Sequence, residues 1–593
     1  MVQTSAELLD TGSWIDHPKV VINRERCAGC QECVIRCPSG ALSIDPVDWK
    51  ASADSSLCVG CRQCTRTCPF SAIDVYGGMV VDERIQLPLA HPTSLKGDIS
   101  ETRPGLSGWD QALSEASRCL SCPDPTCVRG CPAHNDIPAF ITAIKDRDLE
   151  RAHAILARTT YMPDICSRVC DYASQCEGAC SWNLAGGAPV AIGALERFVT
   201  DNAPVPGVKV VSNIGAGLSV AVVGSGPAGI AAAWELISAG ASVTMFEKDK
   251  EPLGVLCWGI PSFSLPWSVA TRPVSALLEA GLVLRTNTEI KPDDIGKLLQ
   301  DHDAVVLAHG SSVPLRLPVP GSDLKGVEDA TSFLSRTKKA LEAGQLLDDL
   351  SDGAKVLVLG AGNTAMDAAR TARRFGAEAL AIDWMDRRFA RVRADELAEA
   401  VTEGVEVRFK TSLQRIEGVD GRVRRAWLVT TKQRSAAELP QIIKGSEFAM
   451  DVDIVVMAMG FRSDPAFQEK ILPGTPFRPT PFTSEVPDRS WQASGIFSSP
   501  VSKVGFLARD REKALQRAEQ PFGWRVWAAG DGLVGPSTVV AAMAQGKRAA
   551  QSLLARLGKT SSAKLNSSTD AVSTGRDGKV GTTGSGGIRK VSR

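Results

Sequence analysis

A chain of 593 residues with 67 basic and 67 acidic side chains carries no net field to gather nucleic acid or an anionic membrane surface. Its 44% hydrophobic and 23% charged residues are ordinary for a globular protein of three or four domains. The most apolar stretch, Leu218 to Phe246, is broken by Gly-Ser-Gly-Pro and carries Glu235, which excludes a membrane span.

The start, MVQTSAELLDTGSW, is polar and acidic and lacks the basic and apolar regions of an export signal, so a cytoplasmic location is expected. Sixteen of the 17 cysteines fall before residue 181. Thiols crowded this way in a long chain of a reducing compartment hold metal rather than disulfides. Residues 1–90 carry Cys27, Cys30, Cys33 and Cys37-Pro38, and then the same spacing at Cys58, Cys61, Cys64 and Cys68-Pro69. This doubled run is the bacterial ferredoxin pattern of two [4Fe–4S] clusters, in which the fourth cysteine of each run serves the other cluster. The expected sets are Cys27, Cys30 and Cys33 with Cys68, and Cys58, Cys61 and Cys64 with Cys37. Structural zinc prefers two-plus-two spacing and fits less well.

A connector, 91–108, leads into a segment, 109–205, whose apolar residues recur at helical spacing. It holds Cys119, Cys122, Cys127 and Cys131, then Cys166, Cys170, Cys176 and Cys180. The spacing points to metal, and beside ferredoxin repeats to clusters; it does not say which four ligands share one.

From Ser219 the pattern becomes α/β, with two strand–Gly-rich turn–helix units that predict two dinucleotide sites. The first reads Gly224-x-Gly226-x-x-Gly229, with Glu247 at the end of the next strand to meet a ribose hydroxyl. The second reads Gly360-x-Gly362-x-x-Ala365 and is followed by Arg387, Arg388, Arg391 and Arg393, which suit a 2′-phosphate and favour NADP. Asp383 and Asp386 nearby argue instead for NAD. Gly530-Asp531 lies between a strand and a helix, where two-dinucleotide flavoproteins close the FAD site. The expected units are 215–330 with 490–557 for FAD, 331–489 for the nicotinamide nucleotide, and a disordered tail over 558–593. Residues 465–524 look long and irregular, as an added contact surface would. Cys257 stands alone, without the dithiol partner of a thioredoxin-reductase-like reaction, and reads as a small buried hydrophobe.

The segments RCLSCPDPTCVRGCPAHNDIPAFI, ICSRVCDYASQCEGAC, VAIGALERF and GAGNTAMDAART resemble the small (beta) subunit of glutamate synthase and the N-terminal half of dihydropyrimidine dehydrogenase. The resemblance runs on to about Leu557. It implies that Cys119, Cys122, Cys127 and Cys180 hold one cluster, and that Cys131, Cys170 and Cys176 hold another with Glu196 as the fourth ligand. Cys166 is the rival for that place. The resemblance also implies an NADPH site read by an Arg pair, here Arg387 and Arg388. This chain departs from the family at Leu253 and Ser264, where a glycine and an arginine of the flavin surroundings are absent, and at Val392-Arg393-Ala394.

The resulting expectation is an α/β protein with two Rossmann-like dinucleotide domains, preceded by a helical iron–sulfur domain and a small α+β ferredoxin-like domain. FAD exchanges electron pairs with nicotinamide and single electrons with clusters, so it belongs between them. No second active site is visible, so an electron-transfer subunit of a larger oxidoreductase is expected. By analogy the partner is a 2-oxoacid oxidoreductase or a glutamate-synthase-like large subunit, or ferredoxin. A free-standing ferredoxin:NAD(P) reductase and a non-catalytic redox sensor or scaffold are the alternatives.

Overall fold

The computed structural model describes residues 18–78, 83–87, 94–204, 207–390, 392–467 and 525–570. The expected contact surface from 468 to 524 and the tail beyond 570 lie outside them. The C-terminal helix, Val539–Asp570, runs past the boundary expected at 558.

The first part is built twice over, as its doubled cysteine run demands. Strand Lys19–Ile22 pairs antiparallel with Ile73–Tyr76, and Leu42–Ile44 with Ala51–Ala53. Each run of cysteines loops into a helix of one turn, Glu32–Ile35 or Gln63–Thr67. The loops repeat their strain as well. Gly29 and Gly60 have φ of 69° and 76°, and Gln31 and Arg62, which precede the helices, have φ of 66° and 53°. Such loops turn amides toward sulfur: Ala51 N–H donates to Cys27 Sγ (3.3 Å), Gly60 N–H to Cys58 Sγ (3.4 Å) and Ala72 N–H to Cys68 Sγ (3.3 Å). Cysteines form much of this small core, with Leu42, Ala51, Ala72 and Ile73.

Helices then dominate as far as Asn202, the longest being Trp109–Ser117, Ile137–Lys145, Leu149–Ala157 and Ile192–Asn202. Asp136 and Asp148 cap the second and third by accepting from Ala139 N–H and Arg151 N–H, and so satisfy otherwise unpaired donors. The ferredoxin-like part is fastened here: Asp124 pairs with Arg36 and its carbonyl accepts from Gln63, while Arg62 donates to Ala185 O (3.2 Å).

Two five-stranded, all-parallel sheets follow. The first has the order Val526–Ala528, Ala304–Leu307, Ser219–Val223, Ser242–Phe246, Val283–Arg285. The second has Val327–Asp329, Ile454–Met457, Lys355–Leu359, Glu378–Ile382, Glu406–Arg408. Central strands such as SVAVV and KVLVL read as unbroken apolar runs because both their faces are covered. The second sheet has helices on one side and the antiparallel strands Thr411–Val419 and Arg422–Lys432 on the other. The chain leaves the first sheet after Leu307, builds the second, and returns at Val526; the second sheet already begins at Val327, ahead of the boundary expected after 330. No helix among the described residues is long and apolar enough to cross a membrane.

The connector before residue 109 is not a free tether. Gly97 N–H donates to Arg374 O (2.7 Å), Thr102 N–H to Phe263 O (3.0 Å), and Arg103 pairs with Glu396 (2.8 Å) and Glu399. It thereby joins both sheets. Beneath it Arg370 and Arg374, both wholly buried, share the Glu403 carboxylate and lie against the Phe263 ring.

Candidate functional site

The cysteines converge in four groups. Around Cys33 stand Cys27, Cys30 and Cys68, and burial together with these neighbours pushes its thiol up to about 11. Around Cys64 stand Cys61, Cys37 and Cys58, and burial with these neighbours pushes it up to about 12. Cys127 has Cys119, Cys180 and Cys122 about it, and is raised by burial first and by them second. The fourth group gathers Cys131, Cys170 and Cys176 with both Glu196 and Cys166 beside them: burial pushes Cys131 up to about 12, with Cys170 and Glu196 adding to it, and Cys176 is raised by burial beside Glu177, Cys131, Glu196 and Cys170. All 17 cysteines are free thiols.

The donor chemistry of these groups suits iron–sulfur clusters. Buried thiols that raise one another's pKa ionise when a cation compensates them, as metal binding does. In the fourth group Glu196 is 5% exposed and its Oε1 has no hydrogen-bond partner. Burial pushes its carboxyl up to about 8. Tyr172 stands between the two: its OH donates to the Cys166 carbonyl (2.7 Å) and lies close enough to the Glu196 carboxyl to lower its pKa, while Oε1 keeps no partner. Cys166 lies one helical turn before Cys170 on helix Pro163–Val169 and is hydrogen-bonded to it.

Two contacts order the groups in space. Cys122 of the third group has Cys61 of the second among its neighbours. The Arg66 side chain lies at that junction beside Cys61, Cys64 and Cys122. At the other end Gln175, next to Cys176, donates to Thr538 Oγ1 (3.3 Å), the residue before helix Val539–Asp570.

That helix closes the first dinucleotide unit. Gly224 has φ of 97°, and a Cβ there would collide with Ala308 O. A Cβ on Gly229 would collide with Gly224 O, whereas one on Gly226 would meet nothing within 4 Å. Gly226 is the N-cap of helix Pro227–Ser238, so the open space lies at unpaired amides and the positive end of the helix dipole, which suits a diphosphate. Glu247 accepts from Ser225 N–H (3.1 Å) and from its hydroxyl, which fixes it at the turn. Gly530, at φ of 77°, donates to Gln545 Oε1 (2.9 Å); Asp531 Oδ1 accepts from Ser537 N–H (3.1 Å) and Oγ (2.6 Å).

The second unit repeats the first. Gly360 has φ of 112°, with Ala458 O 2.6 Å from any Cβ, while Gly362 caps helix Asn363–Phe375 and faces open space. Ala365 is fully buried under the turn. The arginines are less well disposed toward a phosphate. Arg387 and Arg388 are exposed, and Arg388 Nε and Nη2 donate to Asp386 at 3.0 and 3.2 Å. Arg393 is buried, pairs with Asp395 and donates to Val169 O (3.2 Å), toward the helical part. Arg391 lies outside the described residues. Cys257 is 1% exposed, and burial raises it to about 12, as for an inert thiol.

Three residues had no signal in the sequence. Arg66 and Tyr172 flank cysteine groups only because the fold brings distant segments there. His309, stacked on Phe467 at 4.2 Å, is kept neutral by burial, its pKa lowered to about 4, and both its nitrogens lack partners. A Cβ on Gly532 would come within 3.0 Å of its ring, which places the imidazole beside the Gly-Asp loop.

Residues 19–82 match the family model of a 4Fe-4S dicluster domain, 96–207 that of dihydropyrimidine dehydrogenase domain II with its 4Fe-4S cluster, and 218–472 that of pyridine nucleotide-disulphide oxidoreductases. The oxidoreductase AegA of Escherichia coli (strain K12) is 30% identical, over 91% of this chain and 87% of its own. The NADPH glutamate synthase small chain of the same organism is 32% identical, over 75% of this chain and 91% of its own. The beta subunit of the NADP(+)-dependent formate dehydrogenase of Moorella thermoacetica is 31% identical, over 72% of this chain and 59% of its own.

Proposed function

This chain belongs to the oxidoreductase family that contains AegA and the glutamate synthase small chains, as an iron–sulfur flavoprotein of the pyridine nucleotide type. From that premise we propose that it is an electron-transfer subunit that moves electrons between a nicotinamide nucleotide and a partner chain or ferredoxin. The spatial order of the four cysteine groups carries this reading. Cys170 of the fourth group shares a core with the helix that closes the flavin unit, Gln175 beside Cys176 bonds the residue before that helix, and the third and second groups meet at Cys122 and Cys61. The second and first share one small core.

In this reading Gly224, Gly226, Gly229, Glu247, Gly530 and Asp531 hold FAD, and Gly360, Gly362 and Ala365 receive the nicotinamide nucleotide. FAD, when bound, supplies the exchange between paired and single electrons. The chain positions that exchange and needs no side-chain acid or base for it. Cys27, Cys30, Cys33 and Cys68 would hold the outermost cluster, with Cys30 exposed. A partner meets the chain there. The partner is the catalytic chain of a 2-oxoacid oxidoreductase or a glutamate-synthase-like complex, a reading supported by relatives named as a small chain and a beta subunit.

Two measurements test the proposal. Rapid mixing of the loaded chain with NADH or NADPH should bleach the flavin and then the clusters. A flavin that stays oxidised with both nucleotides refutes electron transfer and leaves a sensor or scaffold. Purification from source cells should bring down a stoichiometric partner chain; a lone monomer active with ferredoxin would make it a free-standing reductase.

The fourth group gives a sharper prediction. With Glu196 as ligand, Cys166→Ala should keep about sixteen iron atoms per chain, from four [4Fe–4S] clusters, and an unchanged cluster spectrum. Glu196→Ala should lose the fourth cluster or shift its signal, since a carboxylate is a harder donor than a thiolate. The reverse pattern assigns the place to Cys166.

A further inference from the structure

The two dinucleotide units repeat each other down to single hydrogen bonds. In the first, Glu247 follows strand Ser242–Phe246. Its Oε2 accepts from Ser225 N–H (3.1 Å), its Oε1 accepts from Asp249 N–H (3.0 Å), and its own N–H donates to Arg285 O (2.9 Å). In the second, Asp383 follows strand Glu378–Ile382. Its Oδ2 accepts from Ala361 N–H (3.1 Å), its Oδ1 accepts from Met385 N–H (2.8 Å), and its own N–H donates to Arg408 O (2.9 Å). Ser225 and Ala361 are the middle residues of Gly224-Ser225-Gly226 and Gly360-Ala361-Gly362, and the acid lies 22 residues later in both. Asp383 thus takes, in the second unit, the place from which Glu247 faces the ribose in the first.

A carboxylate at this place accepts a hydrogen bond from a ribose 2′-hydroxyl and repels a 2′-phosphate. Of the cations that could meet a phosphate there, Arg387 is exposed, whereas Arg388, Lys410 and Arg393 are already paired. Asp386 is 4% exposed and collects both Arg388 and Lys410, the latter at 2.9 Å. Arg393 is committed to Asp395 and to the helical part. A carboxylate, Asp383, therefore stands at the end of the strand, and a second, Asp386, draws Arg388 and Lys410 to itself.

We propose that this chain takes NAD(H), with Asp383 as the residue that selects it, and so differs from the glutamate synthase small chains whose name gives NADPH. The inference rests on reading the Lys355–Phe375 unit as the nicotinamide site.

The test is calorimetric titration of the FAD- and cluster-loaded protein with NAD+ and with NADP+, so that no turnover intervenes. A hydrogen bond to a charged group sets the scale, and NAD+ should bind roughly 10- to 100-fold tighter. Asp383→Asn, which still accepts from Ala361 N–H, should erase most of that ratio, and Asp383→Glu should keep it. Arg387→Ala with Arg388→Ala should leave it standing. The proposal is overturned if the wild type binds NADP+ as tightly as NAD+. It is equally overturned if Asp383→Asn leaves the ratio unmoved, or if the double arginine variant moves it as far. Binding of neither nucleotide to protein that retains FAD removes the nicotinamide reading of the second unit, and the proposal with it.

Discussion

Cys127→Ala should leave flavin reduction by the nicotinamide nucleotide intact and abolish reduction of the two ferredoxin-like clusters. Cys127 stands among Cys119, Cys122 and Cys180, and removing one of four thiolates takes away a quarter of the covalent hold on that cluster. Iron should fall from about sixteen atoms per chain to about twelve, with sulfide in step. The functional consequence is larger than that loss. The third group is the one that reaches both ways, through Cys122 beside Cys61 on one side and, on the other, through the helical core that its Cys180 shares with Cys131 and Cys176. Its removal separates the groups nearest the flavin from those nearest the surface. The readout is paired: visible bleaching of the flavin in rapid mixing, and paramagnetic signals of the clusters in samples frozen along the same time course. Full reduction of the outer clusters in the variant would mean that electrons do not travel through the third group, and the proposed order would fall.

The sequence disclosed most where chemistry is local. Three thiols spaced by two residues can close on one cluster within a single loop, so Cys27, Cys30 and Cys33 were legible without a fold, as were Cys58, Cys61 and Cys64. The two Gly-rich turns were legible for the same reason: the φ values of Gly224 and Gly360 and the open sides of Gly226 and Gly362 are needs of one turn. Glu196 is different. It sits on an amphipathic helix among other charged residues, and only resemblance singled it out; its buried, unpartnered oxygen is a tertiary fact. The arginines of 387–393 leave a related question open. A sequence shows guanidinium groups and, two positions away, the carboxylates of Asp386 and Asp395, but not that Arg388 and Arg393 turn to pair with them. The connector 91–108 could not betray its partners either, since Glu396, Glu399 and the carbonyl of Arg374 lie more than 250 positions away.

Gly226→Val should empty the flavin site without unfolding the unit, while Gly229→Val should unfold it. Both glycines belong to one fingerprint, and the difference lies in what a side chain would meet. At Gly229 a Cβ drives into the carbonyl of Gly224, so strand Ser219–Val223 and helix Pro227–Ser238 could not keep their present approach. Gly546 is the same kind of position, pressed against the carbonyl of Ala228 by the closing helix. At Gly226 a Cβ meets no protein atom, and its backbone is extended at φ of −69°, so valine brings no clash and no left-handed strain. The branched side chain would instead fill the space before the helix N-terminus, where a diphosphate takes backbone N–H groups. Losing two such charge-assisted bonds at roughly 1.5–3 kcal/mol each weakens FAD by about 150- to 20,000-fold. Gly362→Val, equally open, should abolish nicotinamide binding and spare FAD. Circular dichroism and thermal melting report the fold, flavin absorbance after gel filtration reports occupancy, and titration with nicotinamide nucleotide reports the second site. If Gly226→Val kept its flavin and Gly362→Val lost it, the two units would have exchanged roles.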